Sequence, residues 1–200
     1  MNGKKDMNLP KEIELKYRAD NIKLADFAAF CEARKPDRFL TASGFDHFYS
    51  SKKDLECFAR HRVEPGKFNQ LSFKRKLADK NNFIRVEHNI TLGLDVTVKQ
   101  VSQLMGEFGY EYGSSLFKHC DIYTYPLYTL VHYVVYDSNL KELDRFLEVE
   151  MSEEHAWKDD QEAWDMLTAI EKELEPLGIS PQNRIKRSLY EMFVKKDVSK

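Results

Sequence analysis

The sequence has 200 residues, of which 42% are hydrophobic and 32% are charged. This length is enough to bury one sizeable core, so we predict one domain over residues 1–200, with residues 1–9 as a flexible leader. The 31 basic and 33 acidic side chains leave a net charge of −2. That balance excludes a strong overall field that would attract the chain to duplex nucleic acid or to a membrane surface.

Three cysteines lie far apart in the sequence and form no CxxC pair: Cys31, Cys57 and Cys120. This spacing argues against a disulfide framework and against a zinc site, and it fits a reducing compartment. No segment approaches the ~18 consecutive apolar residues that a membrane-spanning helix needs. We therefore expect a soluble, cytoplasmic protein.

The first elements after the leader are a strand and a helix. Residues 12–19 alternate apolar and charged side chains with period two, which predicts a strand. Residues 21–35 have helical spacing, with Asp20 or Asn21 as the expected N-cap. The predicted apolar face of this helix contains Leu24, Phe27, Ala28 and Cys31.

The remaining segments predict a mainly antiparallel sheet with further helices. Short alternating runs separated by turn residues such as Pro65-Gly66 and Asn81-Asn82 predict strands. The expected strands are 44–51, 56–63, 70–77, 83–92, 115–123, 128–138 and 145–151; the expected helices are 96–111, 159–179 and, at the end, 184–196. One face of the helix over 96–111 is predicted to carry Val98, Val101, Leu104, Met105 and Phe108. About eight strands with two or three helices indicate an α+β domain.

Charged residues of both signs recur on one face of the predicted strands. The first and last strands carry acidic pairs, Glu12 with Glu14 and Glu148 with Glu150. The strands between them carry mostly basic residues at alternate positions. If these faces point into a closed barrel, the carboxylates could hold Mg²⁺ or Mn²⁺ and the cations could line a path for phosphate oxygens. The alternative is an ordinary solvated sheet face, on which such residues form cross-strand ion pairs.

An ordered set of these motifs resembles the CYTH superfamily, the triphosphate tunnel metalloenzymes. The set begins with an ExExK strand (Glu12, Glu14, Lys16) and continues through RxR, lysine, RxE and lysine strands to a late FxExE strand (Phe146, Glu148, Glu150). Residues 186–193 (KRSLYEMF) resemble the C-terminal signature of the same superfamily.

The resemblance implies an eight-stranded antiparallel closed β-barrel with a polar charged lumen and helices packed outside. It also implies a role for each matching position, with Glu12, Glu14 and Lys16 as catalytic residues. The implied metal ligands are Glu12, Glu14, Glu87, Asp137, Glu148 and Glu150; the implied triphosphate ligands are Lys16, Arg60, Arg62, Lys74, Arg85 and Lys118.

The sequence also departs from the pattern of the superfamily. Asn89 stands where members often carry a second glutamate, and Cys120 stands where they carry an arginine. The glycine-rich connection before the last strand is replaced by residues 137–146 (DSNLKELDRF). These changes indicate a divergent branch, or a protein that binds its ligand without turnover.

Three functions follow as expectations. The first is a phosphohydrolase that depends on Mg²⁺ or Mn²⁺ and acts on an inorganic, thiamine or nucleoside triphosphate. The second is a class IV-type adenylyl cyclase, and the third is a non-catalytic nucleotide- or polyphosphate-binding module. The expected partner is a small-molecule triphosphate, with a homodimer as an alternative to a monomer and no membrane or duplex nucleic acid.

Overall fold

The chain folds into a closed antiparallel β-barrel of eight strands, with three helices outside, which confirms the predicted fold class. The structure is a computed structural model that describes residues 11–54, 56–76, 84–152 and 155–195. The predicted leader and the turn at Asn81-Asn82 lie outside these residues. The order of the strands around the barrel is β1-β5-β4-β3-β2-β6-β7-β8.

The strands are β1 (Lys11–Arg18), β2 (Arg38–Ser51), β3 (Cys57–Glu64), β4 (Phe68–Lys76), β5 (Ile84–Thr91), β6 (Tyr110–Thr124), β7 (Tyr128–Tyr136) and β8 (Glu142–Met151). The helices are α1 (Leu24–Glu32), α2 (Val98–Glu107) and α3 (Asp160–Glu173). No helix in the described ranges is both long and apolar enough to cross a bilayer.

The alternation of β1 decides which side chains enter the barrel. Ile13, Leu15 and Tyr17 are buried on the outer face, in a core shared with α1 and α3. Glu12 and Glu14 point the opposite way, because successive side chains of a strand lie on opposite faces. The covering helices therefore bury the apolar side of the sheet, and the charged side is left to the lumen.

The structure corrects two predicted helix features. The N-cap of α1 is Lys23, which makes no side-chain capping bond, so neither Asp20 nor Asn21 caps this helix. Leu24 in α1 and Leu104 in α2 are about half exposed. The prediction of their faces was wrong because each short helix contacts the barrel through a narrow stripe, Phe27 with Cys31 in α1 and Val101 with Met105 in α2.

Three strands begin well before their predicted starts: β8 begins three residues early, at Glu142, and β2 and β6 begin earlier still. β2 begins at Arg38 and β6 begins at Tyr110, and the two pair along most of their lengths. The predicted C-terminal helix over 184–196 is also shortened, to a single helical turn at Tyr190–Val194.

Gly44 permits a close approach of β2 to the end of β3. A Cβ atom at this position would lie 2.4 Å from the carbonyl oxygen of Val63, a contact that would force the backbone to move. By contrast, a Cβ at Gly106 on α2 would meet nothing within 4 Å.

We predict that Gly44→Ala lowers the free energy of unfolding by about 1–3 kcal/mol, because the added methyl group overpacks the two strands. The matched change Gly106→Ala should raise it by about 0.5–1 kcal/mol, because alanine favours a helix over glycine. Urea unfolding of both variants measures the two effects. Equal effects at the two positions would contradict the close approach described above.

Candidate functional site

The barrel lumen contains a cavity of about 250 Å³ to which all eight strands contribute side chains. Within the described residues, its lining contains six carboxylates and six cationic groups. The acidic residues are Glu12, Glu14, Asp46, Glu87, Glu148 and Glu150; the basic residues are Lys16, Arg60, Arg62, Lys74, Arg85 and Lys118. All the predicted site residues except Asp137 are in this set.

One half of the lining is a continuous chain of ion pairs that joins β1, β4 and β5. The Arg85 guanidinium donates to Glu14 at 2.5 Å and lies 3.4 Å from Glu12. The Lys74 ammonium lies 2.7 Å from Glu12 and 2.8 Å from Glu87. Burial by itself would raise the pKa of Glu87, but the nearby Lys74 and Arg60 lower it to about 2. The Glu87 carboxylate is therefore ionised at neutral pH, and Lys74 holds it.

The ion-pair chain continues across β1 to β8 and β7. The Lys16 ammonium lies 3.8 Å from Glu14 and 3.0 Å from Glu148. Tyr133 donates a hydrogen bond of 2.7 Å to the same Glu148 carboxylate. Burial opposes ionisation of Glu148, yet Lys16 and Lys118 bring its pKa below the usual range. At the other end of the chain, the Arg60 guanidinium lies 3.3 Å from Glu87. We call the whole set the lumen network: Arg60, Glu87, Lys74, Glu12, Arg85, Glu14, Lys16, Glu148 and Tyr133.

Lys118 has no carboxylate partner among the described residues. Its ammonium lies 3.8 Å from the centre of the Tyr133 ring, in a cation–π contact. Burial lowers the pKa of Lys118, and the neighbouring Arg62 lowers it further. Because Lys118 is not held by a carboxylate of the described residues, an anionic ligand could bind it without breaking an ion pair.

Glu150 is the carboxylate that the lumen network leaves out. It lies directly opposite Glu14 in the pairing of β1 with β8, and its side chain makes no hydrogen bond or ion pair within the described ranges. Burial and the charges of Glu12, Glu14 and Glu148 raise its pKa to about 8. Glu150 therefore retains its proton at neutral pH, because the site already holds more negative charge than it can neutralise locally.

A separate ion pair joins β2 and β3. The Arg62 guanidinium donates two hydrogen bonds to Asp46, of 2.7 and 2.9 Å. Burial would raise the pKa of Asp46, but Arg62 lowers it below the usual range. Arg62 is therefore already engaged in bidentate fashion by a carboxylate that sequence reasoning did not identify.

Three other predicted or singled-out residues take different positions. Asp137 lies in the turn between β7 and β8, outside the residues that line the cavity, where it accepts backbone hydrogen bonds from Asn139 and Lys141. Asn89 lines the cavity and accepts a hydrogen bond of 2.6 Å from Ser72. Cys120 also lines the cavity, and burial raises the pKa of its thiol, which keeps it protonated.

The C-terminal segment closes one end of the lumen. The Tyr190 ring stacks on Phe58 with a centroid distance of 4.5 Å and an interplanar angle of 10°. Its hydroxyl donates to Ser50 at 2.8 Å. Ser188 and Leu189 also line the cavity.

The donor set suits a hard divalent cation, but the carboxylates are not grouped to hold one. In the described part of the chain, no three His, Cys, Asp or Glu side chains are placed to bind a metal ion together. The reason is that Glu12, Glu14 and Glu148 are each turned toward a cation. Carboxylate oxygens on neighbouring strands remain the ligand type that Mg²⁺ and Mn²⁺ prefer. A metal therefore fits this lining only if those ion pairs exchange partners.

Sequence reasoning missed Asp46 and Tyr133, which both contact predicted residues. The alternation in residues 44–51 could have identified Asp46, because Gly44, Asp46 and Phe48 share one face. That face carries an aromatic residue and one charge, however, so its direction was ambiguous until the barrel closed. Tyr133 is an aromatic residue in an apolar run, and nothing in the run distinguishes its lumen contact from packing.

The unequal environments of Glu148 and Glu150 predict opposite effects on stability. A carboxyl whose pKa is raised on folding destabilises the protein as pH rises from its unfolded value of about 4.3 through the folded value of about 8. Glutamine does not ionise, so Glu150→Gln should not suffer this loss. We expect its free energy of unfolding to exceed that of wild type by at least about 1 kcal/mol throughout the range from pH 6 to pH 9.

Glu148→Gln is the matched control, because its carboxylate is stabilised in the folded state and its removal should cost stability at both pH values. Urea unfolding in the presence of a chelator gives both differences. A Glu150→Gln difference that does not change between pH 6 and pH 9 would contradict the repulsion described here.

Comparisons with known proteins support the fold. No protein-family model matches the sequence, and no curated protein matches it significantly. A protein from Pyrococcus horikoshii aligns with a TM-score of 0.72 at 18% identity, over 92% of this chain and 99% of that chain. A conserved hypothetical protein from Pyrococcus furiosus has a TM-score of 0.71 at 21% identity, over 91% and 99% of the two chains. A putative adenylate cyclase from Vibrio parahaemolyticus has a TM-score of 0.64 at 15% identity, over 90% and 96%. The chain thus shares the fold of these proteins, and the closed eight-stranded antiparallel barrel that was expected from the sequence is confirmed.

Proposed function

We propose that this protein is a divalent-metal-dependent phosphohydrolase that binds a triphosphate in the barrel lumen. The observation that carries the proposal is the enclosed set of six cations, which come from β1, β3, β4, β5 and β6 and face six carboxylates. A lumen filled with apolar side chains would favour folding more, because the free energy that buried charges lose on desolvation is only partly offset by their mutual attraction. The cations are placed to form charge-assisted hydrogen bonds with a ligand that has many anionic oxygens.

Binding would exchange the partners of the lumen network. Lys74, Arg85 and Lys16 would turn from carboxylates to phosphate oxygens, and the released Glu12, Glu14 and Glu148 would hold Mg²⁺ or Mn²⁺. Lys118, which has no carboxylate partner in the described part of the chain, would bind a phosphate oxygen directly. The proton on Glu150 would be displaced when the nearby positive charge increases. Each step leaves the lumen close to neutral.

The chain itself would contribute positioning and charge to phosphoryl transfer. Cations fixed on several strands hold the triphosphate in one orientation and stabilise the charge that develops on the transferred phosphoryl group. The closed sheet limits access of bulk water to the reacting anhydride. A bound divalent ion would supply Lewis-acid stabilisation and help to orient the attacking water.

Adenylyl cyclase chemistry is the second candidate, and the likeness of fold to a putative adenylate cyclase favours it. In that reaction the ribose 3′-hydroxyl of ATP displaces pyrophosphate. A binding module without turnover is the third candidate, supported by Asn89 and Cys120 in the lining and by the absence of a grouped carboxylate site in the described residues.

Separation of the products decides among these three functions. We expect orthophosphate from inorganic triphosphate or a nucleoside triphosphate with Mg²⁺ or Mn²⁺, and none with a chelator. Glu14→Gln should lower turnover by at least about 10²-fold, because it removes charge from the proposed metal ligands. Glu142→Gln, on the exposed start of β8, is the control. Cyclic AMP with pyrophosphate would support the cyclase, and metal-dependent binding without any product would support the binding module.

The exchange of partners predicts strong coupling between metal and triphosphate. Neither ligand alone can satisfy both the released carboxylates and the released cations, so each should raise the affinity of the other. We expect Mg²⁺ to tighten the binding of imidotriphosphate, a non-hydrolysable triphosphate, by about 5–150-fold in isothermal titration calorimetry. Lys74→Ala should weaken binding and reduce this coupling. Equal affinities with and without the ion would contradict the exchange.

A further inference from the structure

A second cavity, of about 510 Å³, lies at the end of the barrel away from the C-terminal segment. It is formed by the first half of β2, the hairpin between β3 and β4, and the middle of β6. We call it the mouth cavity. Its lining residues include Arg38, Leu40, Ala42, Gly44, Phe68 and Ile122.

The sequence of β2 explains why there is space at this end. Positions 40, 42 and 44 share the lumen face with Asp46, and they carry Leu40, Ala42 and Gly44. Two consecutive inward positions thus have almost no side chain. Gly44 also has to remain glycine because of its contact with Val63.

The mouth cavity is continuous with the charged lumen. Arg62, Lys118, Cys120 and Ile122 line both cavities. Because Lys118 lines both cavities, a phosphate group that contacts it would lie at the boundary between them.

The two ends of β3 show that the cavity and the C-terminal segment lie at opposite ends of the tunnel. Phe58, at one end of β3, is covered by Tyr190. Glu64, at the other end, lines the mouth cavity. These residues are six positions apart, roughly 20 Å in an extended strand. A ligand too long for the lumen would therefore extend toward the mouth cavity, because Tyr190 occupies the other end.

The chemistry of the lining changes along this path. The mouth cavity is also lined by the cations Arg38, Arg62, Lys67 and Lys118, but it adds a carbon surface formed by Leu40, Ile122 and Phe68, which is 37% accessible. The one carboxylate in its lining, Glu64, is paired with Lys67 at 2.8 Å. The volume falls within the roughly 300–1,000 Å³ of sites that bind small organic ligands. Inorganic triphosphate would leave this carbon surface in contact with water.

We propose that the mouth cavity binds the organic group of a triphosphate monoester, a flat heterocycle such as a nucleobase. The inference rests on the proposed function, since the lumen must first hold the phosphates. The heterocycle contacts Phe68, Leu40 and Ile122, and its phosphates pass Lys118 and Arg62 into the lumen. The preferred ligand is therefore a nucleoside triphosphate and not inorganic triphosphate.

The test compares affinities for non-hydrolysable analogues of the four nucleoside triphosphates with the affinity for imidotriphosphate, by isothermal titration calorimetry with Mg²⁺. We expect wild type to bind the tightest nucleotide about 10-fold or more tightly than imidotriphosphate. Phe68→Ala removes the aromatic contact, and Ala42→Leu fills the cavity. Each should lower that ratio about 5–10-fold, in line with the loss of one stacking or apolar contact.

Phe39→Ala is the matched control, because Phe39 is 48% accessible, stacks on Tyr123 at 4.5 Å and lies on the outer face of β2. It should leave the ratio unchanged. Equal binding of nucleotide and imidotriphosphate by wild type, or an equal loss of both in Phe68→Ala and Ala42→Leu, would overturn the inference while the proposed function stands. If wild type binds none of these ligands, the proposed function fails and the inference fails with it.

Discussion

The lumen network of alternating carboxylates and cations is the constraint on which the rest of this structure depends. Charges taken out of water in isolation would be very unfavourable, so each of Glu12, Glu14 and Glu148 is matched to a cation on another strand. These pairs join strands that are far apart in the sequence, and the pair of Lys74 with Glu12 spans β5, which lies between their strands. The side chains on the opposite face of the sheet are apolar, and α1, α2 and α3 cover them.

A self-neutralised lumen also defines what it can bind. Because cations and carboxylates hold one another, a ligand must offer both signs of charge to replace them, as a triphosphate with a divalent cation does. Glu150 and Lys118 are the exceptions among the residues that the structure describes, one a protonated carboxyl and the other a cation that contacts the Tyr133 ring and no carboxylate. A positively charged ligand near Glu150 and a negatively charged ligand near Lys118 would not have to displace an ion-pair partner.

The two ends of the barrel differ because different residues lie at each of them. Aromatic stacking of Tyr190 on Phe58 closes one end, and the small residues Ala42 and Gly44 leave the other open. A barrel with the same side chains at both ends would not orient a ligand along its axis. The resulting path, from a carbon-lined mouth to a charged interior, suits an amphipathic phosphate ester better than a symmetric polyanion.

The sequence by itself determined the strands, their inward faces and most of the site, because period-two alternation keeps Glu12, Glu14 and Lys16 on the face opposite Ile13 and Leu15. Only the tertiary structure decided which inward charges pair. Pairing depends on the stagger and closure of the barrel, and these place Lys74 of β4 against Glu12 of β1 although β5 lies between those strands. The register of β2 on β3 sets Asp46 opposite Arg62, and Asp137 lies in the turn after β7; neither position is encoded by the local pattern, because strand register is fixed only when strands pair.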